Sequence, residues 1–466
     1  MYKISRETFE SRYIDKNPKG DKIPFKHETN TLFKDLPFIV KDQYVTTDFT
    51  GVVGEYVRIL TGKKLKGDIE CDKILEKIGE YVQCEQGETN EYQLSQMIKQ
   101  IYFNDQGELV LFSNQAMLYT NSNSNDKKIA QFLFDVLNQG RACEVVRTSF
   151  EEVADNVLDA LMYELLPKLE DRPTYEQSFT PLVPYVSELF MEDFKYIAQD
   201  KKRLQKYLKK LLNYYYFFYI SQLSIKLNQM FKADYNKVEE LFFTVEWEKM
   251  TKSRQNYDFG WKKLEPHVKK LFSHSKLLEM INQDDASKHQ PSENADYKRI
   301  LQDLDQIKES MFAEDIKYLI DVYKENITDF EFDKVAYDQQ YDEEILNDIQ
   351  YLFNCIDAQF QGTSRERAYS GYSKWFTEFC KCNMLKNRRS LGYTLNLTEE
   401  DIIFLTKICI KDEEKIKLKD LFKAFERRGI MLDQKTKEQI NSYYEKLNLI
   451  EKKSDSGDAQ YVKGIL

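Results

Sequence analysis

Seven cations stand between Gln361 and Leu395 (Arg365, Arg367, Lys374, Lys381, Lys386, Arg388 and Arg389), against two acids, Glu366 and Glu378. Tyr369, Tyr372, Trp375, Phe376 and Phe379 are interleaved with them. Cations neutralise phosphates and aromatic rings stack on bases, so this composition suits contact with nucleic acid. The spacing also admits a structural account. Tyr372, Trp375, Phe376 and Phe379 recur at i, i+3, i+4 and i+7, the period of one helix face, which buries the rings as core and leaves the cations on the wet side. Both readings can hold at once. Arg365, Arg367, Lys381, Lys386, Arg388 and Arg389 are the candidate phosphate contacts of this stretch.

Bond-making chemistry is harder to find. The cysteines (Cys71, Cys84, Cys143, Cys355, Cys380, Cys382 and Cys409) are odd in number and scattered, and Met1-Tyr2-Lys3-Ile4 does not open a signal peptide. Free thiols in a reducing cytoplasm are therefore expected. Cys380-x-Cys382 is too tight for a zinc pair, and His27, His267, His274 and His289 form no HExxH or HxxxH spacing. Gly51-Val-Val-Gly54 with Thr61-Gly62-Lys63-Lys64 imitates a phosphate loop, but Lys64 stands where a Mg²⁺-binding Ser or Thr belongs. A structural turn accounts better for those glycines. Asp315-Ile316-Lys317 and Glu413-Glu414-Lys415 each resemble half of a nuclease motif without an upstream Asp on a strand pair. No Gly-x-Ser-x-Gly elbow is present. The expectation is a protein without catalytic residues, metal or cofactor.

The elements that would position a DNA contact are clearest in the last seventy residues. Thr398 and Asp401 form a capping-box-like start, followed by Ile402, Leu405 and Cys409 on one helical face. Ile416 and Leu418 alternate with lysines as a short strand does. Leu418, Leu421, Phe422 and Phe425 then take helical spacing, and Gly429 sits where a helix stops. Asp433 or Thr436 can cap a third helix whose buried face is Ile440, Tyr444 and Leu447. Strand-like runs around 449–453 and 459–465 flank the turn-forming Ser454-Asp455-Ser456-Gly457-Asp458. Helix, strand, helix, helix, hairpin is the order of a winged helix. A helix-turn-helix reader presents the start of its second helix to the major groove. Here that places Lys435, Lys437 and Asn441 at the bases, with Lys452, Lys453 and Lys463 on the wing facing phosphates. From Leu397 onward 14 Lys and Arg balance 14 Asp and Glu, so the module is neutral, unlike a dedicated DNA reader. Docking to protein, a purely structural role and DNA contact all remain open.

The whole chain carries a net charge of −10, so any DNA contact must be a patch and not a coat. Only 16 Gly and 9 Pro interrupt 466 residues, which favours a mainly α protein. The length suggests three domains: a mixed α/β region over 1–170, a helical bundle over 171–360, and the basic stretch plus winged-helix-like domain over 361–466. In the first, Ile101–Phe103, a turn at 104–107 and Glu108–Phe112 read as a hairpin. Ser149 and Glu152 form another capping box, before Val153, Val157, Leu161 and Leu165. In the second, Tyr214-Tyr215-Tyr216-Phe217-Phe218-Tyr219 rings a long helix on every side and predicts burial all round. Lys209, Lys210 and a polar Gln222–Gln229 flank this run, which excludes a membrane span. Ile300, Leu304, Ile307 and Met311 mark one further amphipathic helix, and Ile345, Ile349, Leu352 and Ile356 the next.

Two stretches resemble the DptG family, a component of bacterial restriction systems that depend on DNA phosphorothioation. They are Asn213–Gln229 and the tail Glu451–Lys463. The resemblance implies a subunit beside a DptF-like ATPase and a DptH-like translocase of the HerA/FtsK type, in an antiviral defence complex that attacks DNA lacking sulfur in its backbone. The family supplies no catalytic residues to carry over. The expected function is a non-catalytic, cytoplasmic adaptor that contacts DNA at most through a patch. A winged-helix transcriptional regulator and a metal-dependent nuclease are the alternatives.

Overall fold

A computed structural model describes residues 4–18, 23–27, 32–37, 45–82, 88–138, 144–150, 154, 156–283, 294–452 and 460–465. The protein is mainly helical, and the described strands are only two to five residues long. Two compact units emerge: one comprises 46–177 and 186–216, the other 1–45, 178–185 and 217–466. This grouping cuts across a sequential division at 170 and 360. Its cause is visible in the N-terminal residues. The Ile4 amide and the Arg6 side chain bond Asp315, and the Phe33 amide bonds Glu279, so the first segment belongs with partners some 250–310 positions away.

In the unit of 46–177 and 186–216, the helix Thr50–Thr61 packs on the helix Ser124–Asn138. Gly51 and Gly54 are inside that helix and not in a turn. A Cβ at Gly51 would lie 2.3 Å from the Asp126 carboxylate, and one at Gly54 would lie 2.8 Å from Thr120, so these glycines permit close approach. Gly62 does turn the chain, ending the helix at φ +68°. The mixed α/β expectation for this region fails. β1 (Lys63–Lys64) and β2 (Glu170–Asp171) make one two-residue pairing, and the rest of the described regular structure is helical. Ile101 and Tyr102 end the helix Glu88–Tyr102, and only Phe103 and Leu109 bridge as a strand pair would. The next helix is capped by Asn156 at Val157–Leu165, not by Ser149, and Val157 is exposed. Glu152 and Val153 lie outside the described residues.

The helix Lys201–Gln229 runs unbroken, and each ring from Tyr214 to Tyr219 is buried, as the all-round apolar pattern predicts. No helix among the described residues is long and apolar enough to cross a membrane. In the unit containing 217–466, the helix Leu271–Ile281 is buried at all eleven positions, though five of them are polar or charged, the run Ser273-His274-Ser275-Lys276 and Glu279. Burial demands partners for such groups. Ser273 donates to Asp357 (2.8 Å), the His274 ring meets the Tyr297 hydroxyl (2.8 Å), Ser275 donates to Asp35 (3.1 Å) and Lys276 reaches the His27 carbonyl. The helix Glu344–Gly362 packs beside it with Ile345, Ile349, Leu352 and Ile356 buried. The expected single helix through Ile300 and Met311 is broken into Tyr297–Gln302, Leu304–Lys308 and Phe312–Asn326, and Met311 is exposed.

Short strands organise the C-terminal part. β3 (Leu241–Phe242) runs parallel to β8 (Ile430–Met431). β4 (Thr244–Val245) runs parallel to β6 (Tyr393–Leu397), which also pairs antiparallel with β5 (Leu385–Asn387). The last seventy residues fold as the helices Glu399–Ile410, Leu418–Arg427 and Gln434–Lys446 with β7 (Lys415–Lys417), β9 (Ile450–Lys452) and β10 (Gln460–Lys463). β10 is the central strand, Val462 facing Ile416 of β7 and Ile450 of β9. The Thr398–Asp401 capping box is formed, Gly429 takes φ +77°, and Asp433 caps the third helix. Ile440 and Tyr444 are buried as expected, whereas Leu447 is exposed because the helix ends there. The turn at 454–458 lies outside the described residues.

Candidate nucleic-acid interface

The basic stretch folds as the helices Glu366–Tyr372 and Lys374–Asn383 and the β5–β6 hairpin. The five aromatics of its two helices, Tyr369, Tyr372, Trp375, Phe376 and Phe379, are all buried. Tyr372 packs edge-on against Phe272 and Phe376 stacks on Phe217, so these rings are core and no base can reach their faces. Tyr393 of the hairpin and Trp247 are each 36% exposed, and Tyr81, Tyr92, Phe259 and Tyr337 are also exposed.

Most of the candidate cations already hold protein partners. Arg365 forks onto both Asp329 oxygens (2.8 and 2.9 Å) and donates to Gln359 (2.7 Å). Lys381 pairs with Glu378 (2.7 Å). Lys386 donates to the Glu246 carbonyl (2.9 Å). Arg388 is stitched into the segment before it. Its guanidinium donates to the carbonyls of Val245 (2.8 Å) and Glu248 (2.9 Å), to Thr244 Oγ1 (3.1 Å) and to Asn396 Oδ1 (3.2 Å). Burial lowers the affinity of this guanidinium for its proton, the price of using it as a bracket. Lys437 pairs with Glu426 (3.2 Å) and Lys452 with Glu445 (3.0 Å). Asn441 is half-buried, and Lys453 lies outside the described residues. Arg367, Arg389 and Lys435 are exposed with no ion pair among the described residues. They are the cations best placed to meet a phosphate.

The third helix of the C-terminal module holds the feature that the sequence does not disclose. Its cap, Asp433, takes Arg254 Nε (2.8 Å) and Nη2 (2.5 Å), while Arg254 Nη1 reaches Glu248 (3.0 Å). Thr436 donates to Glu248 (3.1 Å) and accepts from Arg254 (2.8 Å) and Asn256 (3.0 Å). Against burial, which raises it, the hydrogen bonds from Arg254 and Thr436 hold the Asp433 carboxyl below the usual carboxylate range. The start of this helix, where a helix-turn-helix reader meets bases, is therefore engaged from within. Trp247 extends the same contact by packing on Tyr443, ring centroids 5.0 Å apart. The outer face carries Lys435 and Lys446 against Glu438 and Glu445 and is neutral. Arg254 and Asp433 are 179 positions apart, and no local pattern announces their pairing.

The nuclease-like stretches are tied into structure as well. Asp315 holds Arg6 (2.9 Å), and Lys415 pairs with Glu451 (2.7 Å). Cys380 is buried and Cys382 exposed; Cys84, Cys143 and His289 lie outside the described residues. Among the described residues no three His, Cys, Asp or Glu converge as a metal site. No known family model matches this chain, and no curated protein matches it.

Proposed function

We propose that this chain is a non-catalytic adaptor of a bacterial DNA restriction complex, the role implied by its resemblance to the DptG family. In this reading it works in the cytoplasm, where it bridges a DptF-like ATPase and a DptH-like translocase on DNA that lacks phosphorothioate modification. On this reading the last seventy residues form a winged helix, which the three helices and the β7-β10-β9 sheet support, and the long aromatic helix is part of a helical bundle, which the burial of its rings supports. One observation carries the proposal. Arg254 and Glu248 occupy the start of the third helix through Asp433 and Thr436. A winged helix so engaged is suited to docking protein and not to reading an operator. DNA contact then falls to the exposed Arg367, Arg389 and Lys435, with Trp247 and Tyr393 as exposed rings available to it.

A tagged pull-down from native cells, with and without nuclease, tests the reading. Recovery of two ATPase subunits that persist after nuclease supports an adaptor. Recovery of the chain alone, or of partners lost with the DNA, rejects it. Purified chain incubated with plasmid and Mg²⁺ or Mn²⁺ should leave the DNA intact; cleavage abolished by EDTA would point instead to a nuclease.

A further inference from the structure

A cleft of about 680 Å³ opens between the helices Phe312–Asn326 and Glu344–Gly362, closed on a third side by residues 337–342. Its lining is acidic. Lys317 is taken up by Glu344 (2.7 Å), which leaves Lys324 against Asp321, Asp342 and Asp348. The sequence around it leans the same way, with eight acids and one lysine between Asp329 and Asp348. Asp348 is the informative member. It is only 5% exposed; Tyr337 donates to its Oδ1 (2.8 Å), but its Oδ2 has no hydrogen-bond partner. A buried carboxylate oxygen left unpaired is destabilising unless something supplies a donor. The rings of Tyr337 and Tyr351 stand beside it, 5.3 Å apart, and Tyr337 is itself exposed. Lys324 already lies over the Tyr351 ring at 5.8 Å, and the ring beside it, Tyr337, is the exposed one.

We propose that this cleft seats an arginine from a basic segment of a partner protein. The guanidinium has the fork to satisfy Asp348 Oδ2 and the flat face to lie on tyrosine. The exposed Asp321 and Asp342 meet neighbouring cations of the same segment and speed its approach. Phosphate and nucleic acid are repelled by the same lining. The proposal rests on the adaptor reading for its partner, but its site stands on these residues alone.

Fluorescence anisotropy of a labelled hexa-arginine peptide with the full chain, at near-physiological salt, is the test. Asp348→Asn should weaken binding roughly tenfold or more, the effect of losing one charge-assisted hydrogen bond. Because Asp348 is buried, the double variant Asp321→Asn/Asp342→Asn, at two exposed positions, provides a second arm and should also weaken binding. The control Asp68→Asn/Glu76→Gln removes the same charge at two exposed positions that do not line the cleft, and should change affinity less than about twofold because it leaves the cleft's own groups intact. Equal loss in the control overturns the proposal, because only net charge would then be at work. Competition by spermidine as effective as that by the unlabelled peptide also overturns it, in favour of a polyamine site. Peptide binding with this pattern but no ATPase in the pull-down would sustain the cleft and reject the adaptor; ATPase recovery without peptide binding would do the reverse.

Discussion

Asp35 shows what a single buried carboxyl does to the molecule. It is wholly buried, and burial pushes its pKa from the ordinary 3.8 to about 7, although Ser275 donates to it. The folded state then keeps a proton that the unfolded chain releases, so this group's contribution to stability falls as pH rises from about 4 to about 7 and is flat above. Between pH 5 and pH 8 the loss is on the order of 3 kcal/mol, taking about 1.4 kcal/mol for each unit traversed. Asp35→Asn should remove that component. Urea unfolding of both proteins at the two pH values checks it, and an unchanged difference between them would refute the assignment. Arg388 and Arg389 are neighbours with different work. Arg388→Ala deletes the bracket on Val245 and Glu248 and should lower stability by roughly 2–4 kcal/mol, as loss of several buried hydrogen bonds does. Arg389→Ala should leave the melting temperature within experimental error and flatten the salt dependence of DNA binding by about one phosphate.

At the scale of elements, the third C-terminal helix is held by Arg254. Arg254→Leu strands Asp433 and Glu248 as buried carboxylates without their cation, a change that costs about 3–5 kcal/mol. Chemical denaturation should register this loss, and limited proteolysis should cut first in the last seventy residues; unaltered stability would mean that the network is dispensable. Gly429→Ala acts on a second element. At φ +77° a Cβ is strained, and it would lie 2.4 Å from the Phe218 ring, so a loss of roughly 2–4 kcal/mol is expected in the same measurement. The two sites also show what can be read from sequence and what cannot. The Thr398–Asp401 box, the stop at Gly429 and the ring of aromatics at 214–219 are set by neighbours within a turn or two, so their pattern is complete locally. The Arg254–Asp433 pair and the parallel β3–β8 and β4–β6 pairings join residues more than 150 positions apart through strands of two to five residues, too short to show alternation. Local apolar runs misled where a helix ended. Ile101-Tyr102-Phe103 looks like a strand because a helix terminus and an extended exit happen to be apolar together. The candidate interface was legible in composition and not in availability, because partners such as Asp329 and Glu246 come from distant segments.

For the whole molecule, a net charge of −10 opposes any approach to DNA, so attraction must come from local cations. Three of the candidates, Arg367, Arg389 and Lys435, are exposed without an ion pair among the described residues. Each phosphate neutralised releases counterions, so the slope of log affinity against log salt should be no steeper than about −3 for duplex DNA. An operator-reading dimer makes many more such contacts, and its slope is far steeper. The isolated chain should therefore bind DNA weakly, with little preference among sequences, and Trp247→Phe should abolish most of the fluorescence change, since Trp261 and Trp375 are buried. Fluorescence titrations with several duplexes of different sequence and a single strand of equal length, at several salt concentrations, read all three quantities together. A steep slope or a strong preference for one sequence would overturn the adaptor reading in favour of a regulator. On the adaptor reading, a shallow slope would mean that useful affinity arises only in the proposed assembly, where a tethered partner would raise the effective DNA concentration and a second contact would multiply the first. That arrangement would suit the proposed adaptor, which must not seize DNA by itself because the cell's own DNA is always present in excess.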